Sequence, residues 1–164
     1  MARSLLVDLS AIDVDTVALD LDEIRRFNPH RHEMEQLSGV IRLDAEAQQI
    51  VAYKDVRDDE FWVRGHIPGR PLLPGVLMVE AAAQMCSLYY KYVREDPRFL
   101  GFGGVDGVKF RGQVVPGQRL ILLGQALEIR RRRAVFDTQG VVRDGADPQA
   151  YKLVFEGRII GMPI

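Results

Sequence analysis

The chain has 164 residues, 47% of them apolar and 27% charged, with a net charge of −1. That length suits one domain spanning 1–164 with a real core, and the near-neutral charge gives no general attraction to nucleic acid or membrane. A lone cysteine, Cys86, excludes an internal disulfide and predicts a reducing, cytoplasmic setting. No apolar run approaches the roughly 18–20 residues of a membrane span, and Asp8, Asp13 and Asp15 make the N-terminal stretch unlike a signal peptide.

Residues 1–19 are weakly patterned, an extension readable as an extra strand or as an arm onto a partner subunit. Residues 20–27 read as a short helix with acids first and bases last, ended by Asn28-Pro29. His30 and His32 follow, with Glu33 and Glu35 nearby. A metal there would need a further ligand pair at suitable spacing, which the sequence lacks. Residues 37–43 and 48–56 read as two strands of a hairpin turning near 44–47. Phe61-Trp62 then leads into a Gly/Pro-rich stretch, Gly65-His66-Ile67-Pro68-Gly69-Arg70-Pro71-Leu72-Leu73-Pro74-Gly75.

Pro74 suits the first turn of a long helix, because its fixed φ is already helical and its missing N–H would be unpaired there anyway. From Val76 to Tyr90 the residues are apolar around the whole circumference, so the helix should be surrounded by protein. It runs to about Arg94 and is stopped by Pro97. Its polar residues, Glu80, Gln84, Ser87 and Lys91, are spaced +4, +3, +4 and share one face. Two readings stay open: a stripe that reaches solvent, or a polar line facing a pocket with Glu80 tuned by apolar neighbours. His66 is a surface residue on the first reading; on the second it joins Glu80 as a candidate acid–base pair.

After the helix, strand-like runs cover 102–112, 119 to about 131, 133–142 and 151–160, with a loop at 143–148. Arg130–Arg133 falls at a hairpin tip, where a charge run is an ordinary solvated turn or a docking patch. One long apolar helix with five to six strands predicts an α+β fold, an antiparallel sheet wrapped around that helix.

The segment from Gly65 to Gln84 resembles the signature of the FabZ-type (3R)-hydroxyacyl-[acyl-carrier-protein] dehydratases, G-H-F-P-x-x-P-x-x-P-G-V-L-x-x-E-A-x-A-Q, with Ile67 in place of Phe. Residues 104–111 and 114–118 resemble its G-I-D-x-x-K-F-[KR] and P-V-x-P-G-D, and Pro29-His30-Arg31 matches its P-H-R. The chain departs from the family at residues 32–39, where a charged segment replaces an apolar one beside the acyl channel, and again near its C-terminus.

The resemblance implies a hotdog fold, with subunits paired edge to edge into homodimers and three dimers often forming a hexamer. It places each site at the dimer interface, His66 from one chain and Glu80 from the other. The implied reaction removes water from a 3-hydroxyacyl chain on acyl carrier protein, an acidic partner that Arg64, Arg70, Lys109 and Arg111 could meet. A neutral imidazole at His66 suits removal of the C2 proton and Glu80 suits proton donation to the C3 hydroxyl. N–H groups at Gly75 and Val76 would receive the charge growing on the thioester oxygen. Gln84 is either an orienting group for Glu80 or a helix amide with no such role. No metal or organic cofactor is required. Two alternatives share the fold: an acyl-thioesterase, and a non-catalytic acyl-binding subunit.

Overall fold

A computed structural model of the chain describes residues 4–164. Helix α1 (Leu21–Phe27) is held by a capping box: the Asp20 carboxylate accepts from the Glu23 amide and the Glu23 carboxylate accepts from the Asp20 amide, both at 2.9 Å. With acids in its first turn and Arg25 and Arg26 in its last, so short a helix gains the support its length denies it. The expected hairpin follows as β1 (Gly39–Asp44) and β2 (Gln49–Asp55). Helix α2 (Gly75–Arg94) starts after Pro74 and ends where Glu95 turns left-handed, at φ 49°, ahead of Pro97. The remaining strands are β3 (Leu100–Phe110), β4 (Arg119–Arg130), β5 (Arg133–Arg143) and β6 (Tyr151–Pro163).

Among the described residues these six strands form one antiparallel sheet in the order β1-β2-β4-β5-β6-β3. Helix α2 lies against β2, β3, β4, β5 and β6. Met78, Ala81, Met85 and Tyr89 of the helix pack with Ile50, Leu122, Phe136 and Phe155 of the sheet. The Tyr89 and Phe136 rings meet edge to face at 5.9 Å. At Gly124 a β-carbon would come within 2.8 Å of Ile50 and 2.9 Å of Met85, so a glycine there lets helix and sheet close up. This is the hotdog arrangement that the resemblance implies.

The N-terminal extension contributes no extra strand of the sheet among the described residues. Its residues 1–3 lie outside the described residues; the rest lies on the outer face of its own sheet. Val7, Leu9 and Val14 bury themselves against Val51, Tyr53, Ile121, Leu123 and Val141, the residues that alternate with the helix-facing set. The Leu6 amide donates to Gln139 Oε1 at 2.8 Å, and Leu19 bridges to Val40. Because both faces of β4 are covered, Leu120-Ile121-Leu122-Leu123 reads as a continuous apolar run and not as an alternation. At the other end of the sheet, β3 is an edge strand that exposes Phe102, Val105 and Phe110. Among the described residues no helix is long and apolar enough to cross a membrane.

Phe136 anchors the helix–sheet layer. Phe136→Ala should lower the unfolding free energy by about 3–5 kcal/mol, measured as a lower urea midpoint with an unchanged slope.

Candidate active site

Glu80 lies in the second turn of α2, and its i+4 neighbour Gln84 fixes it. Gln84 Nε2 donates to Glu80 Oε1 at 2.7 Å and to the Met34 carbonyl at 2.7 Å, while its Oε1 accepts from the Gln36 amide at 3.0 Å. A carbonyl can only accept and an amide N–H can only donate, so the Gln84 amide has a single orientation here. The Asn28 side chain adds a bond to the Gln84 backbone carbonyl at 3.0 Å. The charged segment 32–36 therefore docks through its backbone, and the Glu35 carboxylate turns away to pair with Arg25 at 2.7 Å. That guanidinium holds Glu35 below the usual carboxylate range.

The stripe on α2 divides. Glu80, Gln84 and Ser87 line a cleft of about 100 Å³ with His30, Phe99 and Ile160 among its other walls. Gln84 and Ser87 are buried and the Glu80 side chain is 28% exposed, so this face meets a pocket and not bulk solvent. The cleft around Glu80 is mixed in polarity, not uniformly apolar. Lys91 leaves the stripe: its Nζ donates to the Phe27 carbonyl at 2.7 Å, capping the end of α1.

His66 is set by the loop before the helix. Its amide donates to the Trp62 carbonyl and its own carbonyl accepts from the Leu72 amide, both at 2.8 Å; the His66–Ile67 peptide is cis. The ring Nδ1 lies 2.8 Å from the Leu72 carbonyl. Because that oxygen only accepts, the neutral ring carries its proton on Nδ1 and leaves the Nε2 lone pair free. The loop's root is a buried acid that sequence reasoning missed. Glu60 Oε2 accepts from Lys54 Nζ at 2.8 Å and from the Trp62 indole at 3.0 Å, and Oε1 accepts from the Arg57 amide at 3.0 Å. In the sequence it is one acid in the run Asp58-Asp59-Glu60; only its burial separates it.

Within the chain, among the described residues, no hydrogen bond or ion pair joins His66 to Glu80. The histidine facing Glu80 is His30, with Nε2 3.6 Å from Glu80 Oε1 and its ring edge-on to Phe99 at 5.6 Å. Burial lowers the His30 pKa, an effect that nearby Glu80 opposes. Among the described residues no three His, Cys, Asp or Glu side chains converge as a metal site would require. Gly75 and Val76 occupy the first turn of α2, whose leading amides have no partner in the helix; the Leu77 amide folds back to the Pro74 carbonyl at 2.9 Å. Val76 is 71% exposed.

Fold and site together define a hotdog protein with an acid on its central helix and a histidine on the loop that precedes it. A family model described as a FabA-like domain matches residues 28–146, and the chain belongs to the FabA-like family. It is 37% identical over 147 residues to the 3-hydroxyacyl-[acyl-carrier-protein] dehydratase FabZ of Teredinibacter turnerae, covering 87% of this chain and 99% of that protein. Among solved structures it is similar to the dehydratase heterocomplex ApeI:P from Xenorhabdus doucetiae, with a TM-score of 0.69 and 18% identity over 86% of this chain and 90% of that one. It is also similar to zebra fish thioesterase superfamily member 2, with a TM-score of 0.59 and 15% identity over 88% of this chain and 99% of that one. Identities this low show the fold alone.

Two outcomes follow from this geometry. Gln84→Leu leaves the buried Gln36 amide without its acceptor and removes the donor to Met34 and Glu80, so stability should fall by about 1–3 kcal/mol for the buried amide left unpaired, read by urea titration. His30, depressed by burial, stays neutral in the folded chain at pH values where the unfolded chain already binds a proton. Its contribution to stability is therefore lost as pH falls through and below the ordinary imidazole value of about 6.5. His30→Gln should flatten that acid-side loss in unfolding titrations compared across pH.

Proposed function

We propose that this chain is a hydro-lyase that converts a (3R)-3-hydroxyacyl group on acyl carrier protein to the trans-2-enoyl thioester, in fatty-acid biosynthesis. The observation that carries the reading is the 37% identity, across nearly the whole length of the FabZ dehydratase, in a chain whose His66 and Glu80 are each held in one defined orientation. His66 Nε2 takes a proton from C2, the electron pair moves to form the C2–C3 double bond, and the C3 hydroxyl leaves with a proton from Glu80 as water. Transfer of the proton from His66 back to Glu80 through solvent resets the pair. The free amides of Gly75 and Val76 are the donors offered to the thioester oxygen as its charge grows.

The complete site takes His66 from one copy and Glu80 from another. His66 is exposed and, among the described residues, no hydrogen bond or ion pair joins it to Glu80, while β3 offers an unpaired edge beside Phe102, Val105 and Phe110. That edge supports a homodimer, on which a trimer of dimers can be built. Arg64 and Arg70 flank His66 in sequence and give an acidic carrier protein a cationic approach; Arg70 already reaches Gln113 at 3.1 Å. Arg131 and Arg132 form the exposed tip of the β4–β5 hairpin, a second cationic patch. A thioesterase reading rests on the shared fold alone.

The test is ultraviolet detection of the enoyl thioester formed from a (3R)-3-hydroxyacyl carrier protein. Wild type should turn over, and His66→Ala and Glu80→Gln should each lose activity by at least about 100-fold while remaining folded. Mixing the two inactive variants under subunit exchange should restore about a quarter of wild-type activity, since half the dimers are mixed and each of these keeps one intact site. Inactivity of the folded wild type overturns the dehydratase reading. Absence of complementation overturns the shared site.

A further inference from the structure

His30 is not needed to write the reaction, yet it is the histidine that faces Glu80 within the chain, with Nε2 3.6 Å from Oε1. Three features of its surroundings bear on its role. First, its backbone is pinned: the Arg31 guanidinium donates to the carbonyls of Asn28 at 2.9 Å, His30 at 2.6 Å and Arg25 at 3.2 Å. The arginine that follows His30 thus ties the turn at 28–31 to the end of α1, and Phe99 abuts the imidazole edge. Second, Nδ1 is buried and has no partner among the described residues. A buried N–H without an acceptor is rarer and more costly than a buried lone pair, so the proton belongs on Nε2, the nitrogen that faces Glu80. Third, Nε2 and the Gln84 amide converge on the same carboxylate oxygen, Oε1, at 3.6 and 2.7 Å. No hydrogen bond to Oε2 is present among the described residues.

We propose that His30 is a positioning residue for Glu80: its Nε2–H and the Gln84 amide together hold Oε1, leaving Oε2 as the oxygen presented to the leaving hydroxyl. This rests on the dehydratase reading of the site. At 3.6 Å the His30 contact is longer than a hydrogen bond, and shortening by about half an ångström would make it one. Such contacts tighten when a loaded site closes. With its proton on Nε2, His30 is a donor toward the acid and does not compete with His66 as the base. The charged groups facing the ring are Glu80 and Arg31. The cleft that the ring lines also contains Ser87, whose buried hydroxyl has no partner among the described residues.

The test pairs two variants of the full chain with one measurement that needs no turnover. His30→Phe keeps the aromatic volume beside Phe99 and removes the donor; His30→Gln restores an N–H donor. With (3R)-3-hydroxyacyl carrier protein, His30→Phe should lower kcat by about 10- to 100-fold with KM changed less than about threefold, and His30→Gln should recover most of the loss. A purely structural residue would move the melting temperature and would show no such rescue. Nitrogen-15 NMR of the histidine-labelled protein should show His30 as the neutral Nε2–H tautomer at pH 7, with a signal shifted by Glu80→Gln. Wild-type kcat retained in His30→Phe overturns the proposal, as does an Nδ1–H tautomer or a signal indifferent to Glu80→Gln. Inactive wild type overturns the dehydratase reading instead, and the NMR result then still decides whether His30 holds Glu80.

Discussion

Helix α2 is apolar on all sides over most of its length, and a helix of that kind is stable in water only when other elements wrap it. The six-stranded sheet supplies most of the wrapping, and α1 with the segment at 32–36 supplies the rest. A single strip of α2, carrying Glu80, Gln84 and Ser87, is left facing a cleft, and it holds the candidate acid. The helix is thus both the hydrophobic centre of the fold and the mount for the candidate acid, Glu80. Movement of the acid would disturb the core, which is why a carboxylate here can be held in place so closely.

Gln84 joins three parts of the chain that are far apart in sequence. It takes a backbone donor and a backbone acceptor from the 32–36 segment and passes a hydrogen bond to Glu80. This accounts for the tolerance of charge in a segment where the family resemblance implies an apolar one. Met34 and Gln36 make their contacts with Gln84 through main-chain atoms, while Glu33 and Glu35 are free to face water or Arg25. Side-chain identity in that segment is decoupled from the contact that matters to the acid.

The loop that carries His66 is organised by a different device. A buried ion pair is an expensive way to hold a loop unless each oxygen of the acid is also hydrogen-bonded, and Glu60 meets that condition with Lys54, Trp62 and the Arg57 amide. His66 therefore has its backbone fixed through Trp62 and its ring fixed through Leu72. The two halves of the candidate pair are each rigid within the chain and not joined to each other, the arrangement expected of a site that a second copy completes.

Much of this was determined by the sequence alone. Pro74, the apolar run from Val76 and the stop at Pro97 are local signals and place α2 almost to the residue; Asp20 and Glu23 do the same for α1. The spacing of Glu80, Gln84 and Ser87 identified the strip, and the Gly65–Gln84 motif identified the family, because helical periodicity and loop stereochemistry are written in neighbouring residues. Other features were decided only by the tertiary structure. Lys91 shares the strip's spacing but caps α1, Val7 and Leu9 lie on the far face of the sheet, and Glu60 is buried among exposed acids. His30, read beside His32 as a weak metal candidate, turns toward an acid fifty residues away. In each of these cases the partner is remote in sequence and the contact exists only once the sheet has closed around the helix, so no local pattern of residues could encode it.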